Sequence, residues 1–223
     1  MHYINLHTHE STRDIRVTEI VNRYPYQTDD TAAVYSIGIH PWKIIPERIT
    51  TDLTMLGQQL NRPGCIAVGE CGLDKRIDID FGLQTEVFTK QLLLAQQHHK
   101  PVIIHCVAAF DELIAIKTRL KLTVPMIIHG FSKSLQLARQ LVNNGFCLSF
   151  SLRSPTLESV FKNIPDDRIF LETDSSPEPI TAVYTRAAQY KQISEQQLSD
   201  IIEANYHFIF GSAASDSAHT TIA

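Results

Sequence analysis

Ile66-Ala67-Val68-Gly69-Glu70, then Gln84–His99, then Pro101-Val102-Ile103-Ile104-His105-Cys106 is the stretch that decides the fold. Its first and last segments are short apolar runs, the kind that form parallel strands covered on both faces. Between them Val87, Phe88, Leu92 and Ala95 recur at helical spacing and predict one buried helix face. Pro101 disfavours helical geometry in the residue before it, which closes that helix. Strand, helix and strand in this order make a parallel crossover unit rather than a hairpin.

The alternation continues on both sides. Strands are predicted over Tyr3–Leu6, Ala33–Ile39, Met126–His129, Phe146–Phe150 and Ile169–Thr173, while Ile15–Asn22 reads as a strand or a loop. Helices are predicted over Phe110–Leu120 and over Ser134–Asn144, with Ser134 as N-cap and Gly145 just past the end. Ser154-Pro155 starts another in the preferred cap-then-proline order, and one begins near Ile180. Ser194 with Gln197 is a capping-box pattern opening the last helix, which Gly211 ends. The fold class is therefore α/β, a parallel sheet with helices outside, and 223 residues suffice for a single (β/α) barrel. No repeat or linker divides the chain, so one domain is expected over 1–211, followed by a small, polar, frayed tail at 212–223.

With 43% hydrophobic and 20% charged residues the composition is that of a globular protein, which excludes a mainly disordered chain. No apolar run reaches the ~18 residues of a membrane span. Met1–Asn5 lacks a signal-peptide pattern, so the cytoplasm is the expected location. A net charge of −4 argues against a broadly basic nucleic-acid surface. Cys65, Cys71, Cys106 and Cys147 show no C-x-x-C spacing and are expected as buried, reduced thiols.

Ligand-type side chains cluster at the predicted strand ends. His7 and His9 follow the first strand, Glu70 ends one, His105 and His129 fall at the ends of two more, and Glu172 and Asp174 close the last. Parallel α/β folds place their active sites at these ends. Residues two apart on a strand share a face, so His7 pairs with His9 and Glu172 with Asp174. Buried carboxylates need partners, and neutral imidazoles answer only part of that need. Divalent ions answer all of it, and the set is large enough for two with a carboxylate bridging them. Four neutral histidines and two carboxylates carry −2 against +4 for two such ions, so the loaded pocket would attract an anion.

The ordered signatures Asn5-Leu6-His7-Thr8-His9, Gly38-Ile39-His40-Pro41, Gly69-Glu70-Cys71-Gly72-Leu73-Asp74, Pro101–His105, Ile128-His129-Gly130-Phe131-Ser132 and Leu171-Glu172-Thr173-Asp174 resemble the TatD family of metal-dependent hydrolases. Asn205–Gly211 is similar to that family's closing helix. The resemblance implies a distorted TIM-type barrel of the amidohydrolase-like superfamily. It implies that His7, His9 and Asp174 bind a first metal, Glu70 bridges, and His105 and His129 bind a second. It further implies that His40 contacts a substrate phosphate, that Glu172 orients a water or a ligand, and that Asp174 and Glu70 are catalytic. The implied cofactors are two divalent ions, with Zn, Mn, Mg, Fe and Ni all open. The implied activity is phosphodiester hydrolysis of deoxyribonuclease type by a metal-bridging hydroxide. DNA or a small phosphodiester would be the substrate, with no membrane and no obligate protein partner.

The chain departs from the family pattern at several points. Asn5 stands where the family has Asp, and the H-x-R-D-A segment reads His105-Cys106-Val107-Ala108-Ala109, without its arginine. The stretch between His9 and Gly38 is short, and so is the loop after Asp174. A carbonyl-directed hydrolase, acting on an aminoacyl ester for example, and a metal-binding scaffold without activity therefore stand as alternatives. Lys75, Arg76 and Arg153 read either as replacement cations or as solvated residues, and Trp42 as a pocket wall or a packing residue.

Overall fold

Among the described residues eight strands follow one another in chain order around a single parallel sheet: β1 (Tyr3–Thr8), β2 (Val17–Arg23), β3 (Tyr35–Ile37), β4 (Cys65–Asp74), β5 (Val102–Val107), β6 (Met126–Ile128), β7 (Phe146–Phe150) and β8 (Ile169–Leu171). A parallel bridge between Thr8 and Asp174 lays the segment after β8 beside β1. This order, with helices between most strands, is the TIM-type (β/α) barrel. The helices are α1 (Ile49–Gln59), α2 (Phe81–Gln97), α3 (Phe110–Leu120), α4 (Leu135–Asn143), α5 (Glu158–Lys162), α6 (Ile180–Lys191) and α7 (Glu195–Phe210). The structure, a computed structural model, describes residues 1–27 and 34–211. Ala33, the first residue of one predicted strand, and the predicted tail 212–223 lie outside the described residues. No helix among the described residues is long and apolar enough to cross a membrane.

The chain forms two compact units, one from 1–21 and 127–212, the other centred on 22–126. In the first, β1 is followed directly by β2 with no helix between, which is where the sequence left strand and loop open. Glu19 of β2 organises the short connection. It accepts hydrogen bonds from Ser11 Oγ at 2.7 Å, from Thr12 N–H at 2.9 Å and from Thr12 Oγ1 at 2.8 Å. The core is aromatic: Phe150 meets Phe161 edge-on at 5.2 Å and Phe131 at 5.7 Å. The Tyr184 hydroxyl of α6 accepts from Ile4 N–H and donates to Ile4 C=O, which ties that helix to β1. The Ser194–Gln197 capping box opens α7 as the pattern predicts.

In the second unit β4 is buried along its whole length between β3 and β5. The predicted strand stops at Glu70, whereas β4 runs on to Asp74. Gly69 and Gly72 serve close approach of the backbones. A Cβ on Gly69 (φ +147°) would lie 2.5 Å from the Ile103 carbonyl oxygen, and one on Gly72 (φ +154°) would lie 1.8 Å from that of His105. The register slips between the Val68–Val102 and Cys71–Ile104 pairs, so β4 carries an extra residue beside Glu70. Two buried glutamines of α2 hold the backbone at the end of β4 and just past β3. Gln84 accepts from Asp74 N–H and donates to Asp74 C=O, and Gln91 does the same for Ile39. Helix α2 starts at Phe81 on an Asp80 cap, three residues before the predicted start, and α1 has no counterpart in the sequence reading.

All four cysteines are reduced and buried, as expected. Burial pushes the Cys65 thiol up to about 11, so at pH 8 only ~0.1% of it is thiolate. Native protein is expected to leave Ellman's reagent essentially unreacted at pH 8 and to release four equivalents in denaturant. A fast equivalent in the native state would contradict this packing.

Candidate metal centre

In the first unit the group grows from the end of β1. His7 lies within the strand, His9 follows it, and their rings stand 5.2 Å apart. Asp174 sits at φ +55°, a left-handed conformation that Asp tolerates better than most residues. Its backbone is knitted to β1, with its N–H donating to His7 C=O at 2.9 Å and its C=O accepting from His9 N–H at 3.4 Å. Asn5 fixes the neighbouring position reciprocally: its Nδ2 donates to Thr173 Oγ1 at 2.8 Å, and its Oδ1 accepts from Thr173 N–H at 3.0 Å. Asp174 Oδ1 thereby lies 3.7 Å from His7 Nε2 and 3.3 Å from His9 Nε2.

His129 lies just past β6 with its ring 4.3 Å from that of His7. Glu172 is fully buried. Its Oε1 accepts from Gly130 N–H at 2.7 Å and lies 3.4 Å from His129 Nδ1. The resemblance pairs His129 with His105. In the structure the neighbours of His129 include His7 and Glu172, and those of His105 include His40, Glu70 and Asp74.

In the second unit Glu70, only 4% exposed, faces two imidazoles. Its Oε1 lies 3.1 Å from His40 Nε2 and 3.2 Å from His105 Nδ1. Glu70 N–H donates to Asn22 Oδ1 at 2.7 Å, which anchors the backbone beside the bulge. His40 caps the 3-10 turn Pro41–Lys43, its Nδ1 accepting from Trp42 N–H at 3.1 Å. A neutral imidazole that accepts at Nδ1 carries its hydrogen on Nε2, so His40 presents a donor to Glu70. Asp74, at the end of β4, closes the Gly69–Asp74 motif, and its role becomes visible only in three dimensions. Its Oδ2 accepts from Trp42 Nε1–H at 2.8 Å and lies 3.3 Å from His105 Nε2, while Oδ1 accepts from Arg76 N–H at 2.9 Å. Burial works to raise the carboxyl pKa, but hydrogen bonds from Trp42, Arg76 and His105 outweigh it and hold Asp74 below the usual carboxylate range.

The donor sets suit divalent cations. His7, His9 and Asp174 form one group whose ligand atoms lie within 4.8 Å of one another, and His40, Glu70 and His105 form another. Ligands held at ~2.0–2.2 Å from one ion stand roughly 3 Å from each other. The imidazole–carboxylate separations of 3.1 to 3.7 Å therefore need little adjustment. Of the cationic residues considered earlier, Lys75 is paired with Glu112 on the exposed surface at 2.5 Å. Arg76 is exposed, and Arg153 donates to Thr173 C=O at 3.0 Å, bracing the segment that carries Asp174.

Residues 3–211 match the family model described as TatD related DNase, and the chain belongs to that family of metal-dependent hydrolases. A Haemophilus influenzae protein named "uncharacterized metal-dependent hydrolase" is 33% identical over 159 residues, 66% of this chain. The chain spans 60% of that relative's length. A protein of Edwardsiella piscicida named "3'-5' ssDNA/RNA exonuclease TatD" is 27% identical over 89% of this chain and 84% of its own. Among solved structures, the TatD homologue YjjV of Escherichia coli K12 superposes with a TM-score of 0.77 at 23% identity, covering 93% of this chain and 97% of its own.

The Asn5–Thr173 pairing engages both ends of the Asn5 amide. The Thr173 hydroxyl accepts from the amide here and can turn to donate to a carboxylate. Asn5→Ala is expected to cost about 2 kcal/mol in denaturant unfolding, because Thr173 N–H is left buried without its acceptor. Asn5→Asp is expected to cost less, and equal losses in both variants would contradict the pairing.

Proposed function

We propose that this member of the TatD-related DNase family hydrolyses phosphodiester bonds with two divalent ions, acting on single-stranded nucleic acid or a small phosphodiester. The single observation that carries the proposal is the pair of His and carboxylate groups, His7–His9–Asp174 and Glu70–His105, each at metal-ligand separations. The relative named as an ssDNA/RNA exonuclease supports the substrate class. Imidazole-rich donors favour Zn, Mn, Fe or Ni over Mg. When bound, such ions lower the pKa of a coordinated water and offset the charge that builds on phosphoryl oxygens.

The chain's own residues divide the remaining work. His7, His9 and Asp174 hold one ion, with His129 packed against His7. Glu70 and His105 hold the other. Asp174, one-third exposed, accepts the proton of the attacking water. His40 acts as a donor rather than a ligand, because the Trp42 amide occupies its Nδ1; its Nε2–H, which faces Glu70 Oε1 at 3.1 Å, would pass to a substrate oxygen once Glu70 holds an ion. Glu172, held by Gly130 N–H, orients His129.

A second reading has its own observation. A cavity of about 460 Å³ in the first unit opens beside His9 and Asp174. Glu10, Glu19 and Glu178 line it, with no lysine or arginine among the described lining residues. Glu178 is paired with Arg186, whereas the hydrogen bonds to the Glu19 carboxylate come from the neutral donors Ser11 and Thr12. Such a wall repels a polyanion and suits a substrate bearing an ammonium group, as in an aminoacyl ester.

Metal-loaded protein is expected to cleave single-stranded oligonucleotides or aryl phosphodiesters, and a chelator to stop it. Glu70→Ala and His105→Ala should each lower the rate at least ~100-fold with the fold intact by circular dichroism. Faster turnover of aminoacyl esters than of any phosphodiester would favour the second reading, and wild-type rates in either variant would overturn the assigned roles.

A further inference from the structure

His105 can hold its imidazole hydrogen in two ways. On Nδ1 the hydrogen would point to Glu70 Oε1, 3.2 Å away, and that edge of the ring could not ligate a cation. On Nε2 it would point to Asp74 Oδ2, 3.3 Å away, leaving the Nδ1 lone pair toward Glu70. The choice between tautomers therefore lies with the carboxylate on the far side of the ring.

We propose that Asp74, clamped by Trp42, is the positioning residue that keeps the His105 hydrogen on Nε2 and so makes Nδ1 the atom offered to a divalent cation. The proposal rests on the reading of Glu70 and His105 as metal ligands. Asp74 is built for this task. It is 2% exposed, at the end of a strand whose last N–H and C=O are both engaged by Gln84. Both its oxygens are held from fixed directions, Oδ1 by Arg76 N–H and Oδ2 by the Trp42 indole. Neither donor can reverse, since an amide N–H and an indole N–H only donate. The carboxylate must therefore present acceptor lone pairs to His105.

Trp42 serves the clamp rather than the core. It is 60% exposed. It is anchored by its amide on His40 and its indole on Asp74, and its ring stands 5.9 Å from that of His105. A packing residue would be expected to hide more of its apolar surface. Asp74 thus shapes the chemistry of a ligand without touching the ion, which is the role of carboxylates behind metal-bound histidines.

Asp74→Asn changes one oxygen to an amide with almost no change in volume. Turned one way, its NH2 meets Arg76 N–H; turned the other, it meets the Trp42 indole and donates to His105 Nε2, which moves the hydrogen to Nδ1. The test is calorimetric titration of the full chain with Zn2+, together with 1H–15N spectra of the imidazoles in the loaded protein. Asp74→Asn is expected to weaken Zn2+ binding about 10- to 100-fold. Trp42→Phe, which keeps the ring but not the donor, should weaken it less. Wild-type His105 should carry its hydrogen on Nε2. Unchanged affinity in Asp74→Asn, or the hydrogen on Nδ1, overturns the proposal while leaving the ligand reading intact. Failure of the wild type to bind Zn2+ overturns the ligand reading and the proposal with it. Should Asp74→Asn not fold, the wild-type tautomer and the surface variant Trp42→Phe decide.

Discussion

An ionised carboxylate taken out of water must meet positive charge or several donors, and this chain buries Glu70, Asp74 and Glu172 nearly completely. Asp74 meets the requirement with two fixed N–H donors and the His105 ring. Glu172 has one backbone donor and lies against His129. Glu70 faces two histidines whose ordinary state is neutral. Such an arrangement is costly in an apolar interior unless cations join it. The strand ends, the glycines and the short connections all serve to hold these groups where cations can reach them.

Close approach of backbones is the means in the second unit. Gly69 and Gly72 let β4 press against β5, and the bulge between them turns Glu70 toward His105. In the first unit the same result comes from hydrogen bonds. Asp174 exchanges backbone bonds with β1, while Asn5 and Arg153 hold Thr173 beside it.

The alternation of apolar strands and amphipathic helices was legible because both periods are strong here. Phe146–Phe150 and Phe110–Leu120 match their strand and helix, and Ser134 and Ser194 cap theirs. The grouping of His7, His9 and Asp174 was legible because the strand pattern places all three at or near strand ends. What was not legible depended on contacts distant in sequence. Helix α1 begins with Ile49-Thr50-Thr51, a weak helical start by propensity. The run of β4 past Glu70 was not legible because its glycines are needed by β5, which lies some thirty residues on. Gln84 and Gln91 look like surface residues until the backbone groups they hold are seen. The role of Asp74 was not legible in its motif, since nothing local links it to Trp42 or His105.

The central claim is that these His and carboxylate groups are metal ligands. The most direct measurement is anomalous diffraction from crystals grown with Zn2+ or Mn2+. The account predicts one ion bonded to His7, His9 and Asp174 and one bonded to Glu70 and the Nδ1 atom of His105. Ordered side chains with no anomalous peak at either group, in crystals soaked at millimolar metal, would contradict it.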